Sequence, residues 1–183
     1  MLPRYASSMP ARNIRAFLIA FTVLTAHVVA QQAATAPVAP GKGDVLFLRG
    51  PSHDAVSLSA SVLKALPHIT VTVHNPHANA EETYSGVRLA DLLAKVGAPI
   101  GSELRDKALA NYVVATGSDG YQAVLALGEV DPGFHPGEVI VADSMDGKAL
   151  DAHSGPFKLV VTEDKRPARS VRNLTNIEVK SVQ

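Results

Sequence analysis

The sequence predicts an α+β fold, a mixed β-sheet domain with a few short helices. Three observations lead to this prediction. Short apolar runs recur between Gly, Pro and Asp residues, as expected of strands joined by turns. These runs outnumber the stretches with helical spacing and do not alternate regularly with them, which disfavours a doubly wound parallel sheet. The chain has 183 residues, a length that fits one domain.

The first half of the folded region predicts two strands and two helices. Residues 44–48 form a compact apolar run before a turn, which indicates a strand. Residues 56–66 place apolar side chains near helical spacing and stop at a proline, which favours a helix. Residues 69–73 are β-branched and alternating, typical of a strand, and residues 87–96 carry a helical apolar stripe.

The second half predicts mainly strands. A short helix is expected at residues 102–109, with Ser102 as its N-cap. Asp146 and Gly147 form the Asp-Gly pair that favours a tight hairpin turn. The remaining strands are expected at residues 112–116, 121–127, 139–142, 158–161 and 177–182.

The N-terminus has the pattern of a secretory signal peptide. Three arginines precede an apolar stretch at residues 16–30 that ends in small residues. We therefore expect a signal peptide at residues 1–30, a flexible Ala- and Pro-rich linker at 31–42 and the folded domain at 43–183. A Sec-type signal would make the protein periplasmic or secreted. An uncleaved anchor is less favoured, because a bilayer span needs roughly 20 apolar residues.

The composition argues against several classes of function. The formal net charge is zero, with 17 basic and 17 acidic residues, so nothing favours a nucleic-acid partner. The chain contains no Cys, which removes disulfides, a thiolate nucleophile and Cys-ligated zinc. Hydrolase and nucleotide-binding functions also lack support, because the sequence has no His-Glu-x-x-His, Gly-x-Ser-x-Gly or P-loop motif.

Four motifs and a basic segment follow one another in the folded region. They are residues 84–93 (YSGVRLADLL), 118–121 (SDGY), 146–150 (DGKAL), 153–161 (HSGPFKLVV) and 165–172 (KRPARSVR). Their order and spacing resemble the molybdopterin-binding domain of the sulfite oxidase family. The resemblance covers roughly residues 58–182. It implies a sulfite-oxidase-type mixed β-sheet domain that binds a pterin in a cleft between loops.

The sequence departs from that family at the metal ligand. The resemblance implies a molybdenum-ligating Cys at the end of the strand before the aromatic-x-Gly-Val motif. Here that strand runs into His74, Asn75 and Pro76, and imidazole is not equivalent to a soft thiolate. The N-terminus also lacks the adjacent Arg pair with which exported enzymes of the family cross the membrane folded. We therefore expect a pterin, reduced or molybdopterin-like, but no molybdenum and no metal site.

The resemblance directs attention to side chains that could hold a pterin ring. Asp119 is the first candidate, and Asp143 the second, to accept both donors of the amino-pyrimidinone edge. Tyr84, Tyr121 and Phe157 are the candidates for stacking on the ring. The alternative is a core role for each aromatic side chain and a turn-capping role for Asp119.

The basic segment offers candidates for a polar ligand tail. In the resembling family, residues at this position and the His of the His-Gly-x-Pro motif contact a phosphate or another anion. On that basis His153, Arg166 and Arg169 become candidates. The alternative is a solvated loop whose charge is balanced by Glu163 and Asp164.

Three hypotheses about function remain. The favoured one is an exported pterin-binding protein without catalysis, which recognises its ligand or signals to a membrane-bound partner. The second is an oxidoreductase that carries molybdopterin through contacts other than Cys, as a subunit of a redox complex. The third is an interaction domain whose pocket is vestigial.

Overall fold

The computed structural model of the chain describes residues 44–182, and in that range it has ten strands and three short α-helices. The strands are β1 (Val45–Arg49), β2 (Ala55–Ser59), β3 (Ile69–Asn75), β4 (Ala80–Arg88), β5 (Asn111–Gly117), β6 (Gln122–Ala126), β7 (Val139–Met145), β8 (Lys148–Ala149), β9 (Lys158–Val161) and β10 (Leu174–Ser181). The helices are α1 (Ala60–Lys64), α2 (Leu89–Ala94) and α3 (Leu127–Val130). The signal peptide and the linker that the sequence predicts lie outside the described residues.

The strands form two sheets, the first mixed and the second antiparallel. The first sheet has the order β2-β1-β10-β5-β6, and its β1–β10 pair is parallel. The second sheet has the order β3-β4-β7-β8, and β9 also pairs with β7. The other strand pairs of the two sheets are antiparallel. The predicted α+β class is therefore confirmed.

The second sheet buries apolar side chains on both faces. One face joins α2 and the first sheet in the main core, with fully buried side chains such as Leu92, Val141 and Leu159. Burial of each such side chain contributes about 1.5–3 kcal/mol. The other face carries a smaller cluster of buried side chains, Val71, Tyr84, Ile140, Ala142 and Val160. This second face forms the floor of the cavity described below.

The helix predicted for residues 56–66 was wrong in its first half. Ala55–Ser59 forms β2 and pairs along its whole length with β1. The helix starts only at Ala60, where the Ser59 hydroxyl accepts a hydrogen bond from the Val62 N–H at 3.3 Å. Residues 56–59 alternate apolar and polar side chains, so the period-two pattern and a neighbouring strand outweighed the weak helical spacing.

The helix predicted for residues 102–109 is replaced by two 3-10 segments, Gly101–Glu103 and Asp106–Ala110. Asp106, the first residue of the second segment, adopts a φ of 52°. This left-handed conformation prevents one continuous helix across both segments. The residue before the first segment is Ile100, so Ser102 is not the N-cap. Among residues 44–182, no helix is both long enough and apolar enough to cross a membrane.

Two glycines of the predicted motifs have clear structural roles. Asp146 and Gly147 adopt φ values of 50° and 74°, and they join β7 to β8 as the Asp-Gly pair predicts. At Gly86, a Cβ atom would lie 2.2 Å from the Val141 carbonyl oxygen. Only glycine allows this approach, which occurs where the β4–β7 register shifts.

Candidate functional site

A cavity of about 820 Å³ opens beside the second sheet, a size typical of small-molecule sites. The end of β3 and alternate residues of β4 and β9 form one side. The turn between β5 and β6 and the basic segment, residues 165–172, form the other. The lining includes Val73, His74, Asn75, His77, Glu82, Tyr84, Asp119, Tyr121, Lys158, Val160, Lys165, Arg166 and Arg172.

The floor of the cavity combines apolar side chains with one half-buried cation, Lys158. Tyr84 is only 1% exposed and lies beside Val73 and Val160. The Lys158 ammonium lies 4.3 Å from the centroid of the Tyr84 ring, a cation–π contact. This floor can pack against the flat face of a ligand while it presents positive charge.

A chain of hydrogen bonds connects the floor to the end of β3. The Lys158 ammonium donates to the Tyr84 hydroxyl, which donates to Glu82 Oε2 at 2.7 Å. Asn75 Nδ2 donates to Glu82 Oε1 at 2.6 Å. Together, these contacts hold four polar side chains of the floor in one arrangement.

The same contacts shift the pKa values of the floor groups. Burial and the hydrogen bond to Glu82 raise the pKa of Tyr84. Burial alone would raise the pKa of Glu82, but hydrogen bonds from Asn75 and Tyr84 and the charge of Lys158 lower it overall. Burial lowers the pKa of Lys158, and the Glu82 charge opposes that shift. The carboxylate and the ammonium therefore stabilise each other beneath the cavity.

The basic segment divides into cavity-lining and anchoring arginines. Lys165, Arg166 and Arg172 line the cavity. Arg169 pairs instead with Asp164 at 2.6 and 2.9 Å and with Glu129 at 2.9 Å. Hydrogen bonding to Asp164 is the main reason that the pKa of Arg169 is raised. Arg169 thus ties the segment to α3, and it does not line the cavity.

Asp119 and Tyr121 lie at the turn between β5 and β6, so a part of the first sheet also lines the cavity. Asp119 Oδ1 accepts the Tyr121 N–H at 2.9 Å, the turn-capping contact expected as its alternative role. The Tyr121 ring is 50% exposed, and its hydroxyl donates to the Ala168 carbonyl at 2.6 Å. Both side chains also line the cavity, so capping the turn and facing a ligand are compatible.

Of the seven predicted ligand-binding residues, the fold brings four to the cavity: Asp119, Tyr121, Tyr84 and Arg166. Phe157 and Arg169 lie elsewhere, and so does the second acidic candidate, Asp143. Phe157 is fully buried in the main core, because it precedes β9 on the face opposite to Lys158. Asp143 lies 3.1 Å from His68 Nε2.

His153 lies behind the cavity wall. Its Nε2 accepts a hydrogen bond from the Arg172 guanidinium, and Arg172 itself lines the cavity. Its carbonyl oxygen accepts from Asn173 Nδ2 at 2.8 Å. His153 can therefore orient a cavity cation, but it does not line the cavity itself.

Sequence reasoning missed the floor polar groups Lys158, Glu82 and Asn75. A period-two pattern could have identified the first two. Lys158 interrupts an apolar strand two residues before Val160, and Glu82 lies two residues before Tyr84. Side chains two apart on a strand share a face, so each charged group belongs to the face of its aromatic or aliphatic neighbour.

The donor set does not fit molybdenum. The strand end to which the resemblance assigns the metal-ligating Cys lines the cavity as His74, Asn75 and Pro76, and the chain has no Cys. His74 Nδ1 is 2.9 Å from Glu81 Oε1, so this ring nitrogen is already engaged. Within residues 44–182, no group of three or more His, Asp or Glu residues could hold a metal ion.

Comparisons with known proteins point to the same fold. A family model described as the oxidoreductase molybdopterin binding domain matches residues 45–183. No curated protein matches the chain. Among solved structures, the sulfane dehydrogenase SoxCD from Paracoccus pantotrophus is similar, with 18% identity and a TM-score of 0.59. The match covers 78% of this chain and only 40% of that one, and at this identity it shows the fold alone.

Proposed function

Because the chain belongs to the oxidoreductase molybdopterin-binding domain family, we propose that its cavity binds a pterin and serves recognition without molybdenum turnover. One observation carries the proposal. The cavity has an aromatic and aliphatic floor and a wall that carries both the Asp119 carboxylate and the cations of the basic segment, but its strand end offers no thiolate. These features match a flat ring with a donor edge and an anionic tail.

The proposed contacts use side chains that line the cavity. Asp119 accepts from the amino-pyrimidinone edge of the pterin, since Oδ2 makes no hydrogen bond within residues 44–182. Tyr121, half-exposed beside it, covers one face of the ring, and Tyr84 supports the opposite side from the floor.

The charge of the lining favours an anionic tail. Four cations line the cavity, Lys158, Lys165, Arg166 and Arg172, against two carboxylates, Glu82 and Asp119. The difference, four minus two, gives a net charge of +2 with neutral histidines. A phosphate or carboxylate on the ligand would therefore bind towards the basic segment.

Ligand binding and metal content together test the proposal. The mature chain is expressed in a bacterial periplasm, and its absorbance and fluorescence are recorded for a co-purifying pterin. Added pterin is then titrated, and molybdenum is measured by elemental analysis. We expect about one pterin site per chain and no stoichiometric molybdenum. Stoichiometric molybdenum would contradict the proposal, and so would a protein that neither carries nor binds a pterin.

A matched pair of variants ties binding to the cavity. Arg166→Gln removes a cavity cation, whereas Arg105→Gln removes an exposed cation elsewhere. We expect weaker binding of a phosphorylated pterin only in Arg166→Gln. Equal effects of the two substitutions would indicate non-specific attraction of charge rather than a site.

A second candidate function rests on the similarity to SoxCD, a sulfane dehydrogenase. In this alternative the chain carries molybdopterin through contacts other than Cys and acts as one subunit of a redox complex. The elemental analysis separates the two functions, because only this one requires molybdenum in the purified protein. The third possibility, an interaction domain with a vestigial pocket, requires that no pterin binds at all.

The cellular context is also part of the proposal. The pattern of residues 1–30 supports export by a Sec-type signal, so the pterin would be acquired outside the cytoplasm. A membrane-bound signalling or redox partner would then detect the loaded protein. Mass spectrometry of the periplasmic fraction tests export: a mature chain that begins near residue 31 is expected, and an unprocessed cytoplasmic chain would contradict it.

A further inference from the structure

The inner end of the cavity is formed by Asn75, Glu82, Tyr84 and Lys158. Its side-chain oxygen atoms already accept hydrogen bonds from neighbouring groups. Glu82 Oε1 accepts from Asn75 at 2.6 Å, and Glu82 Oε2 accepts from Tyr84 at 2.7 Å. Asn75 Oδ1 accepts the backbone N–H groups of His77 and Ala78 at 2.9 and 3.3 Å. A ligand donor that reached this end would therefore have to share an oxygen that already accepts a hydrogen bond.

Lys158 supplies the free donors at this end. An ammonium group has three N–H donors and no acceptor. The Lys158 ammonium directs one donor to the Tyr84 hydroxyl, and the side chain lines the cavity. Burial lowers the pKa of Lys158, but the charge of Glu82 favours the ammonium form. The inner end thus offers donors to a ligand and no unengaged side-chain acceptor within the described residues.

We propose that Lys158 is a specificity-determining residue, which selects ligands that present a hydrogen-bond acceptor at the buried end and rejects those that present a donor. The inference rests on the proposed function and adds which kind of ligand group faces Lys158. An acceptor such as a ring carbonyl would complete the coordination of the ammonium. A donor in its place would leave two desolvated donors facing each other without a partner.

Two pteridines that differ at one substituent test this inference. They are 2-amino-4-oxopteridine and 2,4-diaminopteridine, in which an amine replaces the ring carbonyl. The exchange also alters the edge proposed to face Asp119, so the informative quantity is how the ratio of the two Kd values responds to substitutions of Lys158. In the unsubstituted mature chain at pH 7, we expect the 4-oxo compound to bind at least about tenfold more tightly.

Substitutions of Lys158 then show whether its donors set the preference between the two pteridines or whether the side chain only packs against the ligand. Lys158→Gln provides an amide that both donates and accepts, so the preference should fall to within about threefold. Lys158→Arg retains donors only and should retain the preference. Lys165→Gln removes a cation elsewhere in the same cavity and should leave the ratio unchanged. Thermal unfolding of each variant checks that the fold is intact.

The outcomes distinguish this inference from the proposed function. If Lys158→Gln keeps the ratio of the unsubstituted chain, Lys158 does not select the ligand, while the pterin proposal stands. If neither pteridine binds the unsubstituted chain, both proposals fail. Should Lys158→Gln not fold, Lys158→Met takes its place, because it also removes the ammonium donors, and an unchanged ratio in that variant overturns the inference.

Discussion

Strand β9, together with Phe157 just before it, directs alternate side chains into two different regions of the molecule, the main core and the cavity. Phe157 and Leu159 are fully buried in the main core, whereas Lys158 and Val160 line the cavity. One strand therefore serves stability with one set of side chains and ligand contact with the other, because successive side chains point to opposite faces. Substitutions at neighbouring positions should accordingly have separable effects, and this separation can be tested.

The largest effect is expected from the core side of this comparison. Phe157→Ala should lower the free energy of unfolding by about 3–5 kcal/mol, because it leaves a cavity in a closely packed core. Urea denaturation measures the change. Val124→Ala is the control, since Val124 is 53% exposed on β6 and should cost less than about 0.5 kcal/mol. A normally stable Phe157→Ala that binds pterin poorly would instead assign the ring to the ligand site.

The next effect is expected on the cavity side. Asp119→Asn should weaken pterin binding by about 1.5–3 kcal/mol, the range for hydrogen bonds to charged groups. Stability should change little, because the Asn side-chain oxygen can still accept the Tyr121 N–H. Calorimetric titration measures the affinity, and Asp106→Asn, at the exposed start of a 3-10 segment, is the control. An unchanged affinity would mean that Asp119 only caps the turn and does not contact the ligand.

These two predictions show which parts of the site the sequence could reveal. Tyr84 and Asp119 lie in motifs with local order, and both line the cavity. Phe157 also lies in such a motif, but its face depends on how β9 pairs with β7. Periodicity predicts that Phe157 and Lys158 lie on opposite faces; it does not tell which face meets the cavity, because that is decided by distant strands.

The basic segment was harder to interpret, for a related reason. The spacing of its four cations does not distinguish Arg166, which lines the cavity, from Arg169, which does not. The distinction comes from Glu129, which lies 40 residues before Arg169 in the chain and pairs with it. Strands with clear alternation, such as Ile69–Asn75, were predicted within two residues because their information is local.

A smaller effect compares the two arginines directly. Arg169→Met should lower the free energy of unfolding by about 1 kcal/mol or less, since its ion pairs are partly exposed and screened by solvent. Arg166→Met should leave stability unchanged but weaken binding of a phosphorylated pterin and reduce its dependence on salt. Urea denaturation and titrations at several salt concentrations measure these effects. The reverse assignment of effects would show that Arg169, rather than Arg166, faces the ligand.

The smallest effect concerns the pH dependence of the cavity floor. The pKa of Glu82 is lowered in the folded chain, so its ionised form adds stability above the ordinary pKa of 4.5. That contribution is lost as the pH falls through the lowered pKa, because the folded carboxylate must then bind a proton. Glu82→Gln removes the contribution, so the difference in urea midpoint between the two chains should be largest near pH 7 and shrink towards pH 3. A difference that grew at acidic pH would mean that the floor stabilises the protonated acid, and that the attraction between the Glu82 and Lys158 charges does not stabilise the folded chain.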